Sequence, residues 1–459
     1  MIRSSHAVLL VVALVAAALC VPCGGASRDG WRPPQVVRIE GDEERWIVMS
    51  PLYGLLFAGA KKGEATHLLV RDGELIQGVQ NPLFPYRSAD GRSLKVTGDK
   101  VHVTLAGKTV TLSLDEEGGW DWLKKATPEQ MASLRFVMVG AKEPPEGVDA
   151  EALLKRLAGE NPAVGLIVSG ADALAVVLRL FDPHWFGFGG ATLEKGHSAA
   201  LVAKKQLRTL FTDADEKDKL AFLAGLSNLE TLFLTNWDAE KAGPLPDGLA
   251  NLRSLVVFGG KMEDLSCLGK QPGLEELTLM AVKSLTDISA LANHPHLKTL
   301  CLRSCEGVTD LAVLEKLKGL KWLALPPATT QKQFAEIVRS HPDLVVLEAT
   351  KCKKITDLGP AGDLVHLKAL IVATEAPPDP LYQMKGLEFL AVAMGEEDGK
   401  VKPDDQEMVV RLRKELPDTA VVLLAPMCLG SGWILVLVPA VAMAWWLTKR
   451  RATANRRAA

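Results

Sequence analysis

The sequence is short of aromatics and of net charge, and it lacks the motifs on which most catalytic sites are built. Phe, Trp and Tyr make up 5% of the 459 residues while apolar residues make up 48%. That balance calls for a core of leucine, valine and alanine layers. The formal charge of −2 provides no global field to recruit nucleic acid or an acidic surface. There is no G-x-S-x-G elbow, no P-loop and no Cys–His arrangement. His67 and His102 have no H-x-H or E-x-x-H partner, so no metal site and no cofactor is expected. Acidic residues such as Asp42, Glu43, Glu44, Asp115, Glu116 and Glu117 gather at turns and strand ends, as solvated loops do. Seven cysteines are present and five follow residue 26: Cys267, Cys301, Cys305, Cys352 and Cys428. An odd number without paired short spacings does not make a disulfide framework.

What the chain does have is one pattern of leucines. Leu274, Leu277 and Leu279 are followed by Leu297, Leu300 and Leu302, then by Leu320, Leu323 and Leu325, each set 23 residues on. The phase extends through Leu229 and Leu252 upstream and Leu344, Leu367 and Leu387 downstream, in steps of 20 to 24 residues. Weaker units begin at Leu134, Val164, Trp185 and Leu207. Three inward side chains per strand cannot bury themselves alone, so units of this length stack into a solenoid with a parallel sheet and a continuous core. Asn161-Pro162, Asp182-Pro183, Gln271-Pro272, His294-Pro295 and His341-Pro342 precede strands, where proline ends the previous turn. The histidines are read as turn residues, with a cluster of His294, His296 and His341 as the metal-binding alternative. Asp264, Asp287, Asp310 and Asp357 are placed to cap the turn that follows each connector.

The L-x-x-L-x-L strands, with Thr286-Asp287, Thr309-Asp310 and Thr356-Asp357 after them, resemble the leucine-rich repeat family over about 300 residues. The likeness is to its short bacterial and cysteine-containing types. It implies an α/β solenoid, a horseshoe whose parallel sheet lines the concave side. The ladder slot, usually Asn or Cys in the family, holds Cys305 and Cys352 in two units. Elsewhere it holds Trp237, Gly260, Val282, Ala328, Glu375 and Gly395, which implies uneven curvature. Cys305 and Cys352 lie two repeat steps apart, roughly 10 Å, too far to bridge. Cys301 projects from the strand face as the expected free thiol.

Side chains between the inward leucines point to the concave face. The expected partner-binding residues there are Phe233, Val256, Phe258, Thr278, Met280, Cys301, Arg303, Trp322, Glu348, Ile371 and Phe389. An apolar stripe of this kind marks an interaction surface for a protein, or for a glycan.

The two ends suggest export and anchoring. Residues 1–26 read as a signal peptide, with Arg3, the apolar run Ala7 to Leu19 and Gly24-Gly-Ala26 before the cut. Cys20 and Cys23 raise a lipid-anchor alternative, although Leu19 and Pro22 stand where that signal takes a small residue; an uncleaved anchor is another alternative. Residues 27–130 alternate with period two, and Ser93 to Leu114 has hairpin patterning, so a small β-rich domain is expected there. The repeat array follows at 131–425. Residues 426–448 carry a 19-residue run without charge, Leu429 to Leu447, ahead of the basic tail 449–459. That is one transmembrane helix with its C-terminus inside and the array outside. Gly430-Ser-Gly432 with the apolar run and basic tail also fits a sorting tail cleaved during surface attachment. The expected function is protein recognition by a membrane-tethered, extracytoplasmic, non-enzymatic scaffold. The competing readings are an envelope enzyme with its catalytic part in residues 27–130, and an architectural spacer.

Overall fold

A computed structural model describes most of residues 111–424, and as backbone strands several segments between 35 and 109. The expectations for residues 1–26, 426–448 and 449–459 lie outside the described residues. Among the described residues no helix is long and apolar enough to cross a membrane.

The inward leucines build one parallel sheet of fourteen strands, each hydrogen-bonded to the next in chain order. The strands are Thr111–Ser113, Phe136–Val139, Gly165–Ser169, Trp185–Gly189, Thr209–Asp213, Thr231–Asp238 and Ser254–Lys261. Glu276–Met280, Thr299–Cys301, Trp322–Ala324, Val346–Thr350, Ala369–Ala373, Phe389–Ala393 and Ala420–Leu424 complete it. A single register row runs through Leu112, Val137, Leu166, Phe186, Leu210, Leu232, Leu255, Leu277, Leu300, Leu323, Leu347, Leu370 and Leu390. From Val137 onward each of these is 0% exposed, so the row is the spine of the core.

The sheet takes in Thr111–Ser113, upstream of residue 131, because Leu112 pairs in parallel with Val137 instead of closing a hairpin. The weak early units also sit in another register than their sequence suggests. Ile167 and Trp185 fall on the face away from the core, and Leu166, Phe186 and Phe188 fill the inward slots. A slip of one residue exchanges the two faces of a strand, and two adjacent apolar residues leave the sequence unable to choose between them.

Helices and tight turns return the chain on the core side, where their apolar residues join the leucines in one cluster. Early connectors are α-helical: Ala150–Glu160, Ala171–Leu180 and Lys195–Val202. Later ones are mostly single 3-10 turns such as Ser289–Asn293 and Ala312–Lys316, with α-helices at Ala239–Ala242, Gln331–Ser340 and Pro403–Glu415. The four connector aspartates act as expected: Asp264, Asp287, Asp310 and Asp357 accept the backbone N–H two residues on at 2.8, 2.7, 2.9 and 2.7 Å.

In the N-terminal segment the described backbone pairs antiparallel. Arg92–Thr97 and Lys100–Leu105 form a hairpin in a seven-stranded sheet. Arg45–Ser50 and Gly54–Gly59 form a separate two-stranded ribbon.

Candidate functional site

The eleven residues expected to meet a partner do share the face opposite the core, since each alternates with, or directly follows, the inward positions. Their surroundings differ sharply along the array. At the N-terminal end Met138, Ile167, Trp185 and Phe211 close into a second small apolar cluster, with Phe233 packed at its margin. Trp185 lies over its own strand at Gly187, where an added Cβ would come within 2.8 Å of the indole. Glycine at 187 therefore makes room for that ring, and the cluster caps the early half of the face.

In the middle, Thr231, Phe233, Ser254, Phe258 and Glu276 are half-buried, around the buried Val256 (5% exposed), Thr278 (3%) and Met280 (5%). Beyond Thr299 the face closes: Cys301, Trp322, Glu348, Ile371 and Phe389 are at most 1% exposed. Arg303 is buried here too. Its guanidinium reaches past the small Ala324 to Glu348, with Nε donating to Oε1 at 2.6 Å, and the Thr350 hydroxyl donates to the same oxygen at 2.9 Å. Such a pair orients the face, while its net contribution to stability is modest because both charges are desolvated.

Two polar borders frame the open middle. Where the strands begin, charges alternate from unit to unit: Arg208–Glu230 at 3.4 Å, Arg253–Glu275 at 3.9 Å and Lys298–Glu275 at 3.1 Å. At the far side the strands Thr231–Asp238 and Ser254–Lys261 run longer than the others, their pairing continuing to Trp237–Gly260 and Asp238–Lys261. Glycine is required at 260, because a Cβ there would lie 2.5 Å from the Trp237 carbonyl oxygen. On this projection Lys241 donates to Asp238 and holds its carboxyl below the usual range, while Glu240, paired at 2.9 Å, raises the Lys261 ammonium.

The cysteines are structural. All four described are unpaired and buried, and burial pushes each thiol up to about 12. Cys301 lies on the expected face but is closed to solvent rather than projecting from it. Cys305 and Cys352 donate to the Leu279 and Pro326 carbonyls of the preceding unit, both at 3.5 Å, so the ladder slot carries the inter-unit hydrogen bond. Both His341 nitrogens lie on backbone carbonyls, Ile337 O at 2.9 Å and Leu314 O at 3.0 Å. His294 is buried, which lowers its pKa. Among the described residues no three His, Cys, Asp or Glu side chains form a group that could hold a metal ion.

A second ladder, which the leucine pattern does not reveal, joins the units. The residues before the prolines are more than turn formers: Asn161 donates to Leu134 O at 2.8 Å, and Gln271 donates to Pro246 O at 3.0 Å. Together with His341 they stitch each turn to the unit before it. The signal was the long amide or imidazole ahead of the proline, at positions where a shorter side chain serves as well for a turn.

No family model matches the sequence, and no curated protein matches it. Solved structures do. An internalin from Listeria monocytogenes is 16% identical over 66% of this chain and 92% of its own, with a TM-score of 0.39. The TLR13–ssRNA13 complex is 15% identical over 65% and 55%, at 0.34. The Toll–Spatzle complex of Drosophila is 14% identical over 65% and 41%, at 0.32. At these identities and TM-scores nothing of these proteins carries over to this chain. The chain's own fourteen-strand parallel ladder, its buried leucine row and its thiol-to-carbonyl bonds between units make this array a leucine-rich repeat solenoid.

Proposed function

We propose that this protein is a membrane-tethered, extracytoplasmic recognition scaffold that grips a protein partner on the outward face of strands Thr231–Asp238, Ser254–Lys261 and Glu276–Met280. One observation carries this reading: on a face whose other large apolar residues are buried, Phe233 and Phe258 stay partly exposed inside a border of alternating charge. Apolar anchors within a polar rim are the usual anatomy of a protein interface. Of the eleven expected residues, Phe233 and Phe258 are then the anchors. Val256, Thr278 and Met280 form the floor, and Cys301, Arg303, Trp322, Glu348, Ile371 and Phe389 belong to the buried half of the face.

The tether and the location rest on the sequence. The uncharged run Leu429 to Leu447 is long enough for one span and the basic tail suits the cytoplasmic side. In this reading the segment before the array is β-rich, as its period-two alternation suggests.

A photo-reactive phenylalanine analogue in place of Phe258, activated in the native envelope, is expected to trap a discrete protein adduct. Phe233→Asp in the same chain should abolish it. An adduct that survives Phe233→Asp, or no adduct at all, sinks the partner reading. Protease added to intact cells should cut the array; full protection would overturn the outside location.

A further inference from the structure

The outward face is unevenly covered, and what covers its second half is a question the chain itself answers. Trp322, Val346, Ile371 and Phe389 are 0% exposed. Neighbouring strands about 4.8 Å apart shade the flanks of such side chains but not their tips. Complete burial of a tryptophan and a phenylalanine on one side of a sheet therefore requires atoms stacked above it. The helices and turns of the array do not supply them, because their apolar residues belong to the leucine cluster on the other side.

The two-stranded ribbon Arg45–Ser50/Gly54–Gly59 has the matching need. Its register puts Ile47 opposite Phe57 and Met49 opposite Leu55 on one face, with Trp46 opposite Ala58 and Val48 opposite Leu56 on the other. Both faces are apolar. A two-stranded ribbon is marginal by itself, and with two apolar faces it needs cover on both. Its first strand comes within 8 Å, Cα to Cα, of Glu74–Gln77 in the N-terminal sheet. Its second strand, like Ala65–Arg71, comes equally close to Ala420–Leu424, the last strand of the array. The ribbon thus stands at the end of the array whose outward face is closed.

We propose that the paired strands Arg45–Ser50 and Gly54–Gly59 lie across the outward face of the strands from Thr299 to Leu424, so that the chain's own N-terminal segment occupies that half of the face. A partner is left the middle strands, and the N-terminal segment is a built-in cover rather than a remote domain. This does not rest on the partner reading, and it would hold for a scaffold that binds nothing.

Thiol labelling of the full-length protein tests it, because the cysteines report separate sides. Cys301 lies under the proposed cover, whereas Cys305 and Cys352 lie in the leucine core. In the unaltered chain Cys301 is expected to resist a small maleimide. Ile47→Asp with Phe57→Asp alters one ribbon face, and Val48→Asp with Leu56→Asp the other. At least one pair should speed Cys301 labelling tenfold or more while Cys305 and Cys352 remain protected. Rapid labelling of Cys301 in the unaltered chain, or protection in both variants, overturns the proposal. If the variants expose all three thiols, a photo-reactive analogue placed at Phe57, and separately at Leu56, decides. Cross-links from either position into residues 299–424 support the cover, and cross-links confined to residues 27–110 refute it.

Discussion

Two kinds of repeat unit stand side by side in this array, and they differ by one residue in where a cap points. In four of the units with 3-10 turns an aspartate accepts the N–H two residues on, as Asp287 does from Ser289 at 2.7 Å. In the unit with the helix Gln331–Ser340, Thr330 accepts the N–H three residues on, from Gln333, which returns its own side chain to the Thr330 N–H. Asp149 starts the helix Ala150–Glu160 by the same three-residue reach. The buried positions follow the cap. Ile288, Leu291, His294 and Leu297 are buried at strict intervals of three, and so are Leu311, Leu314, Leu317 and Leu320. After the first of each set, every one donates its N–H to the carbonyl three before, as from Leu314 to Leu311 at 3.0 Å and from Leu317 to Leu314 at 2.9 Å. In the helical unit the buried set is Phe334, Ile337, Val338 and His341, the spacing of 3.6 residues per turn. Side chains three apart eclipse on a 3-10 turn and drift on an α-helix. The spacing of apolar anchors thus selects the helix type, and cap and anchors agree.

If both kinds anchor the core equally, removing an anchor from either should cost alike. Phe334→Ala is expected to lower stability by about 3–5 kcal/mol and Leu314→Ala by about 2–5 kcal/mol through the cavities left behind. Denaturant midpoints measure both. A loss below about 1 kcal/mol for Leu314→Ala alone would mean that the 3-10 turns merely decorate the sheet. Proline separates the two kinds more directly. Ala335→Pro inside the helix removes a backbone bond and should cost about 3 kcal/mol. Ala290→Pro stands where Pro360 and Pro380 already occur, second in a 3-10 turn, and should cost about 1 kcal/mol or less. Equal losses would erase the distinction.

Much of this was legible in the sequence, for reasons that also mark where legibility ended. The triplets at Leu274, Leu297 and Leu320 repeat at a fixed interval of 23 residues, which picks Leu323 over its apolar neighbours Trp322 and Ala324, so strand, face and stacking followed from them. The aspartate caps followed because a short side chain after a connector has few other uses. The early units were not readable to the residue: Val164 to Val168 and Trp185 to Phe188 offer apolar side chains at adjacent positions, and only pairing with Leu210 fixes which face each takes. The site was readable as a face but not as a surface. Alternation places Trp322 and Phe389 outward, yet nothing in alternation says what lies over them.

At a smaller scale the caps themselves can be compared. Asp287→Ala and Thr330→Ala should each cost about 1 kcal/mol, since each leaves one turn N–H without its acceptor. Acid provides a second handle. Ser266, through its hydroxyl and its N–H, holds the Asp264 carboxyl below its ordinary 3.8. A depressed folded pKa means that this stabilisation is complete above the ordinary value and is lost as pH falls through the lower, folded one. Stability followed from about pH 5 down to about pH 2 should show that step in the wild type and lose it in Asp264→Asn. A step of equal size in both would assign the acid response elsewhere.

The smallest effect tests where the two kinds of unit part company. At the end of the strand four of the 3-10 units turn through a residue with positive φ, Gly259 at 67°, Ala281 at 57°, Ser304 at 55° and Lys351 at 60°, and Asn236 at 50° holds the same slot ahead of the short helix Ala239–Ala242. The helical unit has Pro327 in that slot, and proline holds φ near −65°. A left-handed alanine costs roughly 1–2 kcal/mol against the following carbonyl, of which glycine gives back about 0.5–1 kcal/mol through its freer unfolded chain. Ala281→Gly should therefore stabilise the protein by about 0.5 kcal/mol, with Asn236→Gly close to neutral because asparagine visits this region readily. Pro327→Gly should destabilise, since it frees a φ that the fold fixes elsewhere. Paired denaturant titrations resolve the three signs. A loss on Ala281→Gly would show that Ala281 is held by contacts of its methyl group, and the left-handed turn would then cease to distinguish one kind of unit from the other.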